Sequence, residues 1–286
     1  MTYLKKIIYL FFTIIYLQGC SSVEIDYIHP ITAKKLVVYC FFNPDSVWTV
    51  QVSKLGSVTD VVSDNLLINN AIVTIHENNK VIDTLKFKET GFYTSESKLK
   101  PAYNKKYQLQ VSCDGYEKLY STQESLPSPI SISGVKVHHY LFQNIFSKET
   151  YNDTLWYKQK TVESNLSFEK GQFLRISTTH LENRVEWGVS VALNNMTYLT
   201  KYESRYGNIF EVKETANIKL QTAVYYDSDK LRLMTISPHF LLYEVSYAEY
   251  EFVVNTTKIL TPNNVFSNII GGGGIFVGYT LKIIDL

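Results

Sequence analysis

The chain has almost no imbalance of charge: 28 Lys and Arg stand against 27 Asp and Glu. Recognition of a polyanion needs a basic field, so nucleic acid is excluded as a main partner. Cysteine is scarce, with three residues, Cys20, Cys40 and Cys113. Glycine and proline are also sparse, at 13 and 7 residues, so the few places where they cluster read as punctuation. No apolar run is long enough to cross a bilayer. The longest candidate, Ile7–Leu17, has about 11 residues where a spanning helix needs about 20. Catalytic signatures are missing too. There is no Gly-x-Ser-x-Gly elbow and no Cys–His arrangement that marks a nucleophile. The glycine run Gly271–Gly274 lacks the Lys-Ser or Lys-Thr that follows a phosphate loop, and it reads as a turn.

What is abundant is the aromatic ring. Aromatic residues make up 14% of the chain, and 22 of them are Tyr. Together with frequent Thr, Val and Ile they favour strands over helices. Tyr in this number serves either as half-buried strand positions or as a recognition surface, since its ring is apolar and its hydroxyl polar.

The N-terminus has the three parts of a secretory signal. Lys5 and Lys6 are followed by the apolar run Ile7–Leu17, and small Gly19 precedes Cys20. The sequence Leu17-Gln18-Gly19-Cys20 resembles the lipobox of bacterial lipoproteins, with polar Gln18 as a departure. That resemblance implies removal of residues 1–19 and acylation of Cys20. Several acyl chains on one residue anchor a protein stably where a single chain is marginal. Ser21 after the cysteine implies delivery to the outer membrane within that family. Removing Lys5 and Lys6 from the 28 basic residues leaves 26 against 27 acidic ones, so the remaining chain is neutral.

Residues 20–33 read as a tether. Regular strand signals begin at Lys34. Leu36–Phe42 is a continuous apolar run, and residues 47–53 alternate. Ala71–His76 and Val81–Phe87 flank Glu77-Asn78-Asn79-Lys80 as a hairpin. Lys106–Ser112 places Tyr107, Leu109 and Val111 on one face, and Asp114-Gly115 turns the chain into Tyr116–Thr122. Short strands at this spacing predict a β-sandwich over 34–125. Pro127 and Pro129 break the pattern and set a boundary. A second β-rich domain is predicted over 130–286. Its strands are Ile132–His139, Phe173–Thr179, Glu186–Ala192, Ile209–Glu214, Lys219–Tyr226 and Arg232–Ser237, with Ile275–Ile284 at the end. Tyr140–Ser167 reads as a long polar and aromatic excursion. Leu241–Ile259 has helical periodicity and no Gly or Pro, between turns at Pro238 and Pro262. The fold class is therefore all-β in the main, with one C-terminal helix.

Several stretches together resemble a known family. They are Lys35-Leu36-Val37-Val38, Asn70-Ala71-Ile72-Val73, Gly91-Phe92-Tyr93, Tyr107-Gln108-Leu109-Gln110-Val111 and Pro127-Ser128-Pro129. Ser267-Asn268-Ile269 and Gly272-Gly273-Gly274-Ile275-Phe276 close the series. This resembles a lipoprotein family of Bacteroidetes described as a domain of unknown function, over the chain from the lipobox to the C-terminus. Cys40 and the length of the glycine run depart from its pattern. The resemblance implies a prealbumin-like sandwich for the first domain, an outer-membrane location, and neighbouring TonB-dependent receptors as partners. It carries no catalytic or binding residues.

Site residues follow from these readings. Cys20 is the lipidation site. Cys40 and Cys113, at the ends of predicted strands, are the two cysteines available for a disulfide in an oxidising compartment. His138 and His139 are adjacent on a strand and so point to opposite faces, which prevents joint ligation of one metal. His29, His76, His180 and His239 have no zinc-site spacing. Asp227-Ser228-Asp229 and Asn263-Asn264 supply oxygen donors for calcium, or simply form turns. No catalytic residue, cofactor or metal is assigned. The function expected is a lipid-anchored envelope protein that acts as a binding or accessory module for an outer-membrane receptor in nutrient uptake. The alternatives are a hydrolase acting on surface glycans or peptides, and a structural or adhesive surface protein.

Overall fold

The structure is a computed structural model. It describes residues 34–55, 66–143, 156–180, 186–188, 190–193, 199–204, 207–213, 215–225, 228–257 and 265–286. The first strands are β1 (Leu36–Phe42), β2 (Thr49–Lys54), β3 (Ile72–Glu77), β4 (Lys80–Glu89), β5 (Phe92–Thr94), β6 (Lys106–Ser112), β7 (Leu119–Ser121) and β8 (Glu124–Ser125). Their faces follow the alternation of the sequence. In β6, Tyr107, Leu109 and Val111 are buried and the residues between them are not. The β3–β4 hairpin turns on Asn78 and Asn79, with φ of 50° and 63°. Positive φ at both central residues is what a two-residue hairpin demands, and Asn tolerates it.

β4 makes the corner of a sandwich. Lys80–Leu85 pair with β3, whereas Lys86–Glu89 pair with β5. The sheet thereby folds over itself, so that β1 and β2 face β6 across one core. Trp48 sits in that core, with its ring centroid 4.9 Å from Tyr107 and 4.9 Å from Phe42.

The remaining strands are β9 (Ser131–Gln143), β10 (Trp156–Phe168), β11 (Phe173–His180), β12 (Glu186–Gly188), β13 (Ser190–Leu193), β14 (Leu199–Ser204), β15 (Gly207–Val212), β16 (Ala216–Tyr225) and β17 (Ser228–Ile236). The helix α1 (Pro238–Thr257), β18 (Ile269–Ile270) and β19 (Gly273–Asp285) follow. The order β13-β16-β10-β9 forms a small sheet, and most other strands join one large curled sheet. A second core lies between the two sheets, with Val162, Leu166 and Leu220 against Leu174, Ile176, Leu231 and Leu233. A third lies under α1, where Phe240 and Leu241 meet Ile236, Ile275 and Val277.

The two halves share β19. It runs parallel to β1, with Cys40 opposite Phe276, and antiparallel to β17, with Met234 opposite Leu281. Phe276 enters the first core and Ile275 and Val277 the third. Lys34–Leu286 forms one compact unit, and the Pro127–Pro129 segment runs between β8 and β9 without strand pairing. The glycine run is therefore not simply a turn. Gly271 and Gly272 bend the chain and Gly273-Gly274 begin β19.

Other sequence expectations need correction. The excursion predicted over Tyr140–Ser167 contains β10, thirteen residues long. Its inward positions are Val162, Ser164 and Leu166. A buried serine in the middle position blurs the alternation on which recognition of a strand depends. The helix begins at Pro238, not after it. Ser237 caps it, with its Oγ accepting from Phe240 N at 3.3 Å, and a proline at the first helical position loses no hydrogen bond. Cys40 and Cys113 are both buried free thiols. Cys40 points into the first core from the middle of the large sheet, while Cys113 Sγ donates to Asn70 Oδ1 at 3.4 Å.

The glycines of β19 make a sharp test. A Cβ on Gly274, where φ is +102°, would lie 1.9 Å from the Val38 carbonyl oxygen. Gly274→Ala is expected to destabilise the fold by about 3 kcal/mol or more, a loss of roughly 10 °C in thermal unfolding. Gly115→Ala, at φ +80° with nothing within 4 Å, is expected to cost only about 1 kcal/mol.

Candidate functional site

β1 buries Leu36, Val38, Cys40 and Phe42, so strict alternation turns Val37, Tyr39 and Phe41 to the opposite face. That face carries rings. Tyr39 is 37% exposed and Phe41 40%. Tyr39 stands opposite Gln51 on β2, and Gln51 stands opposite Phe92 on β5, which is 37% exposed. Directly opposed residues share a face, so Tyr39, Gln51 and Phe92 form one row across three strands. Thr49 and Thr94 add a hydroxyl pair 3.1 Å apart beside it.

The helix borders this row with more rings. Phe41 lies 5.3 Å from Phe240 and 5.9 Å from Tyr243, between ring centroids. Tyr243, Tyr247 and Tyr250 follow one another along the helix at 5.8 and 6.3 Å, the meeting expected of residues three and four apart. The Tyr39 phenol is pushed above its ordinary pKa, mainly by burial and further by the Tyr247 phenol. The result is an aromatic face with neutral hydrogen-bonding groups and no ion pair in its row.

A carboxyl–imidazole contact and a buried ion pair tie α1 to the strands beside this face. Glu124 of β8 is bonded through Oε1 to His239 Nδ1, with side-chain exposures of 5% and 36%. Ser237 and the Asn268 side chain also bond this carboxylate. Burial raises the Glu124 pKa, and the hydrogen bonds from His239, Ser237 and Asn268 only partly oppose that rise. The His239 ring stacks on Phe266 at 5.4 Å. Further along, Arg175 of β11 lies 3.7 Å from Glu244 of the helix, both almost wholly buried. Breaking a buried pair from one side costs about 3–5 kcal/mol, because it strands the other charge.

A carboxylate on one imidazole nitrogen is also half of an acid–base machine. Here the other half is not assembled. Ser237 Oγ caps the helix and bonds Glu124, and among the described residues no hydroxyl or thiol bonds His239 Nε2. No group of three metal-ligating side chains occurs among the described residues.

The residues singled out in the sequence are not brought together by the fold. Cys20 and His29 lie outside the described residues, as do Asp227 and Asn263-Asn264. Burial pushes both Cys40 and Cys113 thiols up, which suppresses their nucleophilic thiolate form. His138 and His139 are exposed on β9. His76 Nε2 lies 3.0 Å from Thr74 Oγ1. The pair Glu124 and His239 was invisible in sequence, being 115 residues apart. The tyrosine spacing 243, 247 and 250 was the one local signal for the ring ladder.

The family model of a domain of unknown function, DUF4249, matches residues 21–282. The chain belongs to that family. A search of curated proteins found no match. The DUF4249 match covers the aromatic face, both polar contacts of α1 and the glycine-bearing start of β19.

Glu124 yields a pH prediction. Its folded-state pKa is raised, so the folded protein holds this proton more tightly than the unfolded chain does. The associated stability is complete below the ordinary value of 4.5 and is lost as pH rises through the folded value. Glu124→Gln keeps a neutral side chain at every pH. Its midpoint relative to the unmodified protein is therefore expected to rise as pH increases above the ordinary carboxyl value of 4.5, with each 1 kcal/mol appearing as about 2–4 °C in thermal unfolding.

Proposed function

We propose that this protein is an envelope-anchored binding module, held to the outer membrane by acyl chains on Cys20, whose aromatic face docks on a macromolecular partner. The observation that carries the reading is the row Tyr39–Gln51–Phe92, with both rings exposed around a half-buried Gln51, beside the tyrosine ladder of α1. Large aromatic rings are ordinarily buried. Tyr and Phe displayed on rigid strands and a pinned helix provide contact area at little entropic cost, which is the make-up of interface hot spots. The lipobox-like Leu17–Cys20 and the neutral chain that follows support a tethered location. No described helix is long and apolar enough to cross a membrane. The Glu124–His239 contact is occupied with holding the helix, which supports binding over catalysis. A TonB-dependent β-barrel receptor is the partner class we favour, in which the module would assist nutrient capture.

Two measurements test this reading. Radiolabelled palmitate should enter the protein and not a Cys20→Ala variant; equal labelling of both would refute the anchor. A photo-crosslinking residue at position 49, exposed beside the row, should trap an outer-membrane β-barrel in intact cells. The double substitution Tyr39→Ser and Phe92→Ser should lower that capture by about tenfold. Recovery of a lone monomer in mild detergent with no crosslinked product would count against the docking role.

A further inference from the structure

The first sandwich has two outer faces, and the aromatic row occupies only one of them. On the other, the pairing registers set out a continuous row across five strands: Thr84, Thr74, Gln110, Tyr120 and Ile270. Directly opposed residues share a face, and five strands about 4.8 Å apart span about 19 Å. Ile72 and Ser112 form the next row on one side, and Val81, His76 and Gln108 the next row on the other. The residues between them, Val73, Ile75, Leu109, Val111 and Leu119, are buried in the first core.

This face is apolar without being covered. Ile72 and Ile270 are each 62% exposed and Val81 56%. Large apolar side chains gathered on one surface mark an interaction site. No carboxylate stands in the three rows. The charges are lysines. Lys106 begins β6, exposed and two residues before Gln108, and Lys118 Nζ lies 5.5 Å over the Tyr120 ring. The acids at the margins are Glu77, which pairs with Lys105 at 2.9 Å, and Glu117 beside Lys118.

Two observations select a bilayer as the occupant. Protein interfaces favour Arg and are poor in Lys, whereas the cations here are lysines, compact charges that bind phosphate as points. Lysine and tyrosine beside exposed apolar residues are the make-up of a membrane–water boundary. The second observation is where the chain enters. Residues 21–33 join Cys20 to Lys34, a length of at most about 50 Å. Lys34 and Lys35 are exposed and lead into Leu36. The Leu36 carbonyl lies against Gly272, two residues past Ile270, and the Lys118 carbonyl lies against Gly271. The tether therefore meets the body at the rim of this face.

We infer that the outer face of β4, β3, β6, β7 and β18 rests on a lipid surface bearing anionic headgroups. Ile72, Val81, Tyr120 and Ile270 reach the headgroup level, and Lys106 and Lys118 meet the phosphates. The inference takes its bilayer from the anchored reading above. It turns the row Tyr39–Gln51–Phe92, on the opposite outer face, away from the membrane and toward a partner.

The full chain, purified from membranes in detergent, is reconstituted on vesicles of phosphatidylethanolamine with phosphatidylglycerol, or of phosphatidylcholine alone. A photo-crosslinking residue at position 270 is expected to form lipid adducts on the anionic vesicles. One at position 49, on the opposite outer face, is expected to form few. Lys106→Glu with Lys118→Glu, both at exposed positions, should lower the adducts at 270 on anionic vesicles by about tenfold or more. Its thermal midpoint should change little. Palmitate incorporation separates this inference from the anchor. Palmitate on Cys20 with no adducts at 270 overturns the inference and leaves the anchor standing. Adducts at 270 in a chain that takes no palmitate support the face and refute the anchor. Equal labelling at 270 and 49, or charge reversal without effect, overturns the inference. So does crosslinking of position 270 to a protein in intact cells, which would assign the face to a protein partner.

Discussion

The structure depends on how closely β19 can approach its neighbours. The strand is wedged between β1 and β17, and a methyl group would not fit at its entry. Ideal Cβ atoms on Gly272 and Gly274 would lie 2.4 and 1.9 Å from the carbonyl oxygens of Leu36 and Val38, and one on Gly278 would lie 2.7 Å from that of Ser125. Glycine alone permits such contact. With the approach secured, Ile275, Phe276 and Val277 are wholly buried and divide between two cores. Full burial of each such side chain contributes about 1.5–3 kcal/mol. The glycines therefore act as a fit requirement, and the apolar residues after them gain from that fit.

Around this strand the polar groups converge on Asn268. Its side chain donates to the Phe276 carbonyl at 2.7 Å and accepts from the Phe276 amide at 2.9 Å. Its own carbonyl accepts from Thr122 at 2.8 Å, and its side chain also bonds Glu124. A single asparagine thus ties the end of the first sandwich to the final strand and, through Glu124 and His239, to the helix. Buried ion pairs such as Arg175–Glu244 are weak sources of net stability. Their effect here is positional: Glu124–His239 and Arg175–Glu244 fix the first two turns of α1, which sets Tyr243 and Tyr247 beside Phe41 and Tyr39. The recognition surface is a by-product of how the helix is pinned.

Much of the strand content was legible because the periodicity was clean. Leu36–Phe42 and Lys106–Ser112 match the residues of β1 and β6, since a single apolar face makes alternation unambiguous. β10 was not legible because Ser164 occupies a buried position between Val162 and Leu166. The helix was seen from its lack of Gly and Pro, but its start was misjudged, because proline stops most elements and yet suits a helix's first position. In the candidate site, the tyrosine spacing on α1 could be read locally. The row Tyr39–Gln51–Phe92 could not, because it exists only through pairing registers between strands that are not consecutive in the chain.

By itself the sequence determined the strand-rich class, the helix near the C-terminus, the neutrality of the chain and the signal-like segment ending at Cys20. All of these are local properties: period, composition and short spacing. Only the tertiary structure decided that one strand serves both halves, that Glu124 finds His239, that Cys40 and Cys113 remain separate thiols, and which face of β1 is left open. Each is a matter of which distant segments come into register. A carboxylate cannot signal a histidine 115 residues away, and an exposed ring looks the same in sequence as a buried one until packing has chosen which side of the strand is covered.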